Sequence, residues 1–320
     1  MKVTTDQAHF LRNSENKARL IDILKTQFHS AGITVYQAEG DADALIAATA
    51  ISIGNKNISV AVVGSDSDLL SILIARGHPH TTIYFMKPQT NKNEGKCFHI
   101  CNIQRNLESL KDSFLFFHAV TGCDTTSAIF NKGKQSAFKI LQKDQELSKA
   151  VTAFNNSDLD PKTIIEVGER FLVRLYGGKN NVSLDELRYN LYNKTVARKL
   201  SSSFNLATLP PTSAAASQHC LRVYLQVQQW LGNNLEPTEW GWHSREGKLF
   251  PVTTNLPAVP ENLLNLISCQ CKITTQKDCG DKCECRKVGL VCSKFCYYCE
   301  GNGCSNMPVA DDSEDDGVFF

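Results

Sequence analysis

Apolar residues recur at helical spacing over residues 16–30 (NKARLIDILKTQFHS), and residues 33–38 (ITVYQA) carry the β-branched and aromatic composition of a short strand. The alternation continues along the chain. Residues 42–52 (ADALIAATAIS) read as a helix, 58–64 (ISVAVVG) as a buried strand, 67–74 as a helix and 82–86 as another strand. Strands alternating with helices pair in parallel, so the expected fold class is α/β, with a parallel sheet covered by helices on both faces. Residues 114–120 and 134–142 read as helices around a turn at 121–132. From about residue 147 strand patterns stop and helical periodicity persists through 163–175 and 184–198, which predicts a helical extension. Leu209-Pro210-Pro211 breaks the pattern before one more helix at 214–231, and residues 233–262 are Pro-rich and aperiodic, as in a linker. The expected organisation is an α/β domain over 1–146, a helical extension over 147–232, a linker over 233–264, a small zinc-dependent cysteine-rich module over 265–307 and an acidic tail over 308–320.

Composition narrows the class. A chain of 320 residues that is 42% hydrophobic and 21% charged is neither disordered nor collagen-like nor a coiled coil. No apolar run approaches the roughly 20 residues needed to span a bilayer, and the first 12 residues lack the layout of a secretory signal. The expectation is an intracellular protein, nuclear or nucleocytoplasmic, with no membrane partner. With 34 Lys+Arg against 33 Asp+Glu the formal charge is +1, so affinity for nucleic acid must come from local patches. Nine of the 13 cysteines fall between Cys269 and Cys304, a clustering that favours metal ligation over a disulfide scaffold.

Two acidic pairs share one position in the pattern. Asp41 and Asp43 open a helix directly after the 33–38 segment, and Asp66 and Asp68 open the next helix after the 58–64 strand. Asp124, in the turn Thr121-Gly122-Cys123-Asp124, again follows an apolar segment. Each acid alone is explained as a helix cap complementing the macrodipole. Five at one sheet edge, where open α/β sheets form their sites, repel one another unless a cation neutralises them. Hard oxygen ligands suit Mg²⁺ or Mn²⁺, and two such ions roughly 3.5 to 4 Å apart can activate water against a phosphodiester.

The ordered segments AEGDADALIAA, VVGSDSDLL and TGCDTTSAIFNKGKQSAFKIL resemble the core of the PIN-like, flap-endonuclease type nucleases over roughly residues 30 to 145. The resemblance implies divalent-metal-dependent hydrolysis of DNA or RNA, with Asp41, Asp43, Asp66, Asp68 and Asp124 as catalytic acids. It also implies that Lys132, Gly133 and Lys134 form a turn that grips a nucleic-acid backbone. That family places a central first strand with a further metal-binding aspartate upstream, and only Asp6 precedes Glu15 here, so the domain reads as incomplete at its N-terminus.

The cysteines run Cys269-x-Cys271, Cys279-x3-Cys283-x-Cys285, Cys292-x3-Cys296-x2-Cys299 and Cys304. Thiolates one to three residues apart can wrap tetrahedral Zn²⁺ without a hydrophobic core, and structural zinc supplies roughly 10 to 16 kcal/mol of apparent binding energy. The pattern is similar to the CXC modules of tesmin/TSO1-like proteins, which implies about three structural zincs; with four contacts per ion, three of the nine sulfurs must bridge. Lys282, Arg286 and Lys287 form a basic patch able to meet phosphates or to face solvent. The whole layout more loosely resembles mobile-element-associated proteins of animal genomes. Three functions remain open: a two-metal nuclease, a non-catalytic zinc-dependent DNA-binding or chromatin-associated protein with a degenerate nuclease domain, or a zinc-folded interaction domain that meets no nucleic acid. His99, His118, His219, Cys97, Cys101 and Cys220 read as core packing, and Trp230, Trp240 and Trp242 as pins for the Pro-rich segment.

Overall fold

The computed structural model describes residues 6–91, 94–179, 181–198, 205–256, 283–287 and 304–306. The chain divides into two compact units, Met1–Thr253 and Thr254–Phe320. Among the described residues no helix is long and apolar enough to cross a membrane.

The first unit opens with helices α1 (Gln7–Leu11), α2 (Ser14–Ser30) and α3 (Asp43–Gly54). Strand β1 (Val60–Val63), helix α4 (Ser67–Arg76) and strand β2 (Ile83–Lys87) follow, then strand β3 (Lys96–His99) and helix α5 (Ile100–Leu107). Helices α6 (Phe114–Val120), α7 (Lys134–Lys143), α8 (Gln145–Val151), α9 (Pro161–Leu175), α10 (Leu184–Arg198) and α11 (Ser213–Leu231) complete the helical part. The helices expected from periodicity all form, and several start at a side-chain cap. Asn13 accepts hydrogen bonds from the Glu15 and Asn16 amides to start α2, and Asp160 caps α9 with Pro161 in its first turn.

The sheet departs from expectation in two ways. Its order is β1-β2-β3, with β1 parallel to β2 but β3 antiparallel to β2 (Phe85 opposite Phe98), so it is mixed, not parallel. The antiparallel step follows because β3 returns directly from β2 through a short loop, whereas parallel pairing needs a crossover helix. Residues 33–38 form no strand. Strand-like composition becomes a strand only where a neighbour supplies ladder hydrogen bonds, and among the described residues β1 pairs with β2 alone. Val63, on β1, is consequently 66% exposed.

One hydrophobic core joins the sheet to the helical extension. Ile83 and Phe85 of the sheet, Ile72 and Leu73 of α4 and Phe116 of α6 belong to the same cluster as Phe171 of α9 and Tyr224 and Trp230 of α11. Helix α11 is buried along nearly its whole circumference, which is why its polar side chains are committed to backbone partners. Gln228 donates to the Phe154 carbonyl at 2.7 Å, Arg222 to the carbonyls of Gly241 and Val252, and His219 to Val120 at 3.0 Å. Gly168 lets α9 cross close: a Cβ there would lie 2.2 Å from the Cys220 sulfur. Arg76, in the last turn of α4, donates to the Trp230 carbonyl in the last turn of α11, placing one cation at two helix C-termini.

The segment expected to be a linker is partly regular. It carries an antiparallel hairpin, β4 (Trp242–Arg245) with β5 (Lys248–Pro251), a pairing the aperiodic sequence did not reveal. Trp240 pins it by packing against Tyr224 at 4.7 Å between ring centroids. In the second unit the described residues form the short helix α12 (Glu284–Lys287) and the turn at 304–306. Cys283 and Cys304 are buried there and Arg286 and Lys287 are exposed. Cys269, Cys271, Cys279, Cys292, Cys296, Cys299 and Lys282 lie outside the described residues, as does the Cys285 side chain.

Candidate acidic site

Helices α3 and α4 both begin at an Asp-x-Asp pair but in different registers: Asp66 is the N-cap of α4, whereas Asp41 lies one residue before Ala42, the N-cap of α3. The first acid of each pair folds back on the chain: Asp41 Oδ1 accepts from the Asp43 amide at 3.2 Å, and Asp66 Oδ1 from the Asp68 amide at 2.9 Å. Each thereby satisfies a donor of the first helical turn and adds negative charge at the positive end of the dipole. The second acid of each pair is left to project from the helix start, and both Asp43 and Asp68 are partly buried.

Asp124 arrives from a third segment. Gly122 holds φ +109°, and a Cβ there would meet the Ala128 Cα at 2.7 Å, so only glycine admits this bend. Threonine hydroxyls knit the turn: Thr121 donates to the Phe117 carbonyl at 2.8 Å, Thr126 to that of Ala119 at 2.5 Å, and Thr125 to Gln226 on α11. Lys134 Nζ closes the other side, donating to the carbonyls of Gly122 at 2.9 Å and His118 at 3.2 Å.

The fold brings these acids into one electrostatic neighbourhood. Partial burial, followed by the charges of Asp41, Asp66, Asp68 and Asp124, raises the Asp43 carboxyl from 3.8 to about 6. The four other acids singled out in the sequence therefore all act on Asp43, although the five come from three separate segments. Burial lowers the affinity of Lys134 for its proton, against the opposing pull of Asp68 and Cys123. Among the described residues no three His, Cys, Asp or Glu side chains form a ready-made metal cage. The donor chemistry nevertheless fits a hard divalent cation: the candidate ligands are carboxylates, and Asp43 is raised by burial first and by the four neighbouring charges after it. Asp41 and Asp66 each spend one oxygen on a backbone amide and keep the other.

One residue set aside in the sequence belongs here. His118, on α6, is 3% exposed and so is buried as core packing would have it, yet its Nε2 lies 2.7 Å from Asp68 Oδ1. The signal was a single polar ring inside the apolar run FLFFHAV, six residues before Asp124. His99 and His219 make no such contact with the acids; burial and the Val120 hydrogen bond leave His219 titrating at about 4, the burial effect being the larger. Of the residues expected to meet a nucleic-acid backbone, Lys132 lies 5.0 Å from the Tyr176 ring centroid and Lys134 turns inward onto its two carbonyls. Gly133 is an extended N-cap residue for α7 with open space where a side chain would be. No family model, no curated protein and no solved structure matches the chain.

Proposed function

We propose that the chain is a nucleic-acid-binding protein of PIN-like, flap-endonuclease type whose acidic site hydrolyses phosphodiesters of DNA or RNA. The observation that supports this reading is that Asp41, Asp66, Asp68 and Asp124, from two helix starts and one turn, all contribute after burial to raising the Asp43 carboxyl. Mg²⁺ or Mn²⁺ held by these acids would supply a water of lowered pKa and positive charge opposite the leaving oxygen. Asp41 and Asp66 stiffen the two helix starts through their backbone bonds, and Lys134 and the threonines hold the turn that presents Asp124. The nine cysteines from Cys269 to Cys304 form, in this reading, a CXC-type module around about three structural zincs, with Lys282, Arg286 and Lys287 toward phosphates. Such a protein would work in the nucleus or shuttle to it.

A second reading is favoured by two observations: no ready-made cage among the described residues, and a Lys134 committed to carbonyls. It makes the chain a non-catalytic, zinc-dependent DNA-binding or chromatin-associated protein. The deciding experiment is cleavage of flap, hairpin and single-stranded substrates in Mn²⁺ by the full chain, beside the Asp66→Ala/Asp68→Ala double variant. Cleavage lost in the double variant supports the nuclease. Folded, zinc-loaded protein that binds DNA in a salt-sensitive manner and cleaves nothing supports the second reading.

A further inference from the structure

Both ring nitrogens of His118 are engaged by side chains of one helix. Nε2 lies 2.7 Å from Asp68 Oδ1, and Nδ1 lies 3.1 Å from the hydroxyl of Ser71, one turn further along α4 and itself buried. A carboxylate can only accept, so Nε2 must carry a proton in this contact. If the ring is neutral, Nδ1 is an acceptor and the Ser71 hydroxyl donates to it. If the ring is an imidazolium, Nδ1–H donates to Ser71, whose own proton goes to the Ser67 carbonyl 2.7 Å away. Either way the Nε2–H bond to Asp68 is kept. Trp230 of α11 packs on the ring at 5.6 Å between centroids, and the backbone carbonyl of His118 accepts from Lys134. The imidazole is therefore held from both its edges and one side.

We propose that His118 is a positioning residue for the acidic site: it fixes Asp68 Oδ1 and leaves Oδ2 as the oxygen offered to a cation, with Ser71 locking the ring. The idea rests on the metal-dependent reading above. A carboxylate at 14% exposure would otherwise be free to rotate toward solvent, and the buried donor removes that freedom. His118 also joins the helix starts to the Asp124 turn, since it stands on the helix that leads into that turn.

The test is Mn²⁺ affinity of the full chain, read by titration calorimetry and by electron paramagnetic resonance of free Mn²⁺, for the wild type and Asp68→Ala, His118→Leu, His118→Gln and Ser71→Ala. The ¹⁵N spectrum of the imidazole is recorded alongside. Loss of a group that orients a metal ligand costs roughly 10- to 100-fold in affinity, which is expected for His118→Leu. His118→Gln, whose amide can still donate to Asp68, recovers most of it. Ser71→Ala falls between, and its spectrum shows a mixture of tautomers where the wild type shows proton on Nε2. A folded His118→Leu protein that binds Mn²⁺ as tightly as wild type, while Asp68→Ala does not, overturns the positioning role and leaves the acidic site standing. Should His118→Leu fail to fold, unchanged affinity and an unchanged tautomer in Ser71→Ala overturn it instead. Wild-type protein that binds no Mn²⁺, or Asp68→Ala that binds normally, defeats the metal reading and this inference together.

Discussion

Replacing Asp43 by asparagine removes the charge that the acid cluster crowds most. The folded protein raises this carboxyl from 3.8 to about 6, through burial first and then Asp41, Asp66, Asp68 and Asp124. For a fully buried group that shift is worth about 3 kcal/mol at about 1.4 kcal/mol per tenfold. Asp43 is only partly buried, and solvent screening reduces the figure to about 1 kcal/mol. The macrodipole of α3 acts in the opposite sense, favouring a carboxylate in the first turn by about 0.3 to 1 kcal/mol, so the sign of the effect reports whether crowding wins. An acid with a raised folded pKa contributes stability that is fully present below pH 3.8 and is lost as the pH rises through about 6. Asp43→Asn is thus expected to match wild type near pH 4 and to melt higher above pH 6.5, by roughly 2 to 4 °C for about 1 kcal/mol in a unit of this size. The measurement is the melting temperature of both proteins in EDTA from pH 4 to 8, followed by circular dichroism. Adding Mn²⁺ at about 100 times its dissociation constant should stabilise wild type by about 2.7 kcal/mol and reverse the order. A difference between the two proteins that stays flat with pH, or an asparagine variant that is the less stable above pH 6.5 in EDTA, would refute the electrostatic account.

Other expectations follow from the turn, the core and the cysteines. Gly122→Ala should impair Mn²⁺ binding and lower stability, because the positive φ and the 2.7 Å approach to the Ala128 Cα forbid a side chain, whereas Gly133→Ala should fold normally, having open space; any loss of DNA affinity in the latter, measured by fluorescence anisotropy, would report close approach of a backbone. His219 titrates near 4 in the fold, so its neutral form contributes stability present above pH 6.5 and lost as the pH falls toward 4. His219→Gln should flatten that acid loss in urea titrations, and an unchanged slope argues against the burial account. Metal analysis of the purified chain should return about three zincs, with chelation abolishing any structure in the cysteine-rich segment; a zinc content near zero counts against the CXC reading.

Much of the helical architecture was legible in the sequence because helices are local. Their apolar spacing and the break at Leu209-Pro210-Pro211 act within a few residues, whereas the Asn13 and Asp160 caps, three residues ahead of the periodic stretches, went unread. The acid pairs were legible for the same reason: in each Asp-x-Asp the first carboxylate accepts from the amide two residues on, a bond internal to the segment. What periodicity cannot carry is a partner. The strand-like 33–38 segment has no ladder, β3 runs antiparallel, and the 242–251 hairpin forms where no alternation announced it; each was decided by which chain lay alongside. Lys134 followed the same logic. Its place in a basic turn suggested solvent and phosphate, but two carbonyls of the Asp124 turn were within reach and claimed it.

The sequence by itself determined which residues bear charge and where helices start, since capping and amphipathic spacing are properties of neighbours in the chain. Only the tertiary structure decided that burial and the charges of four acids from three segments raise the proton affinity of Asp43, and that a histidine 50 positions from Asp68 in the chain holds it. Electrostatic repulsion and a 2.7 Å hydrogen bond depend on distance in space, which packing against the α11 core sets and local pattern does not.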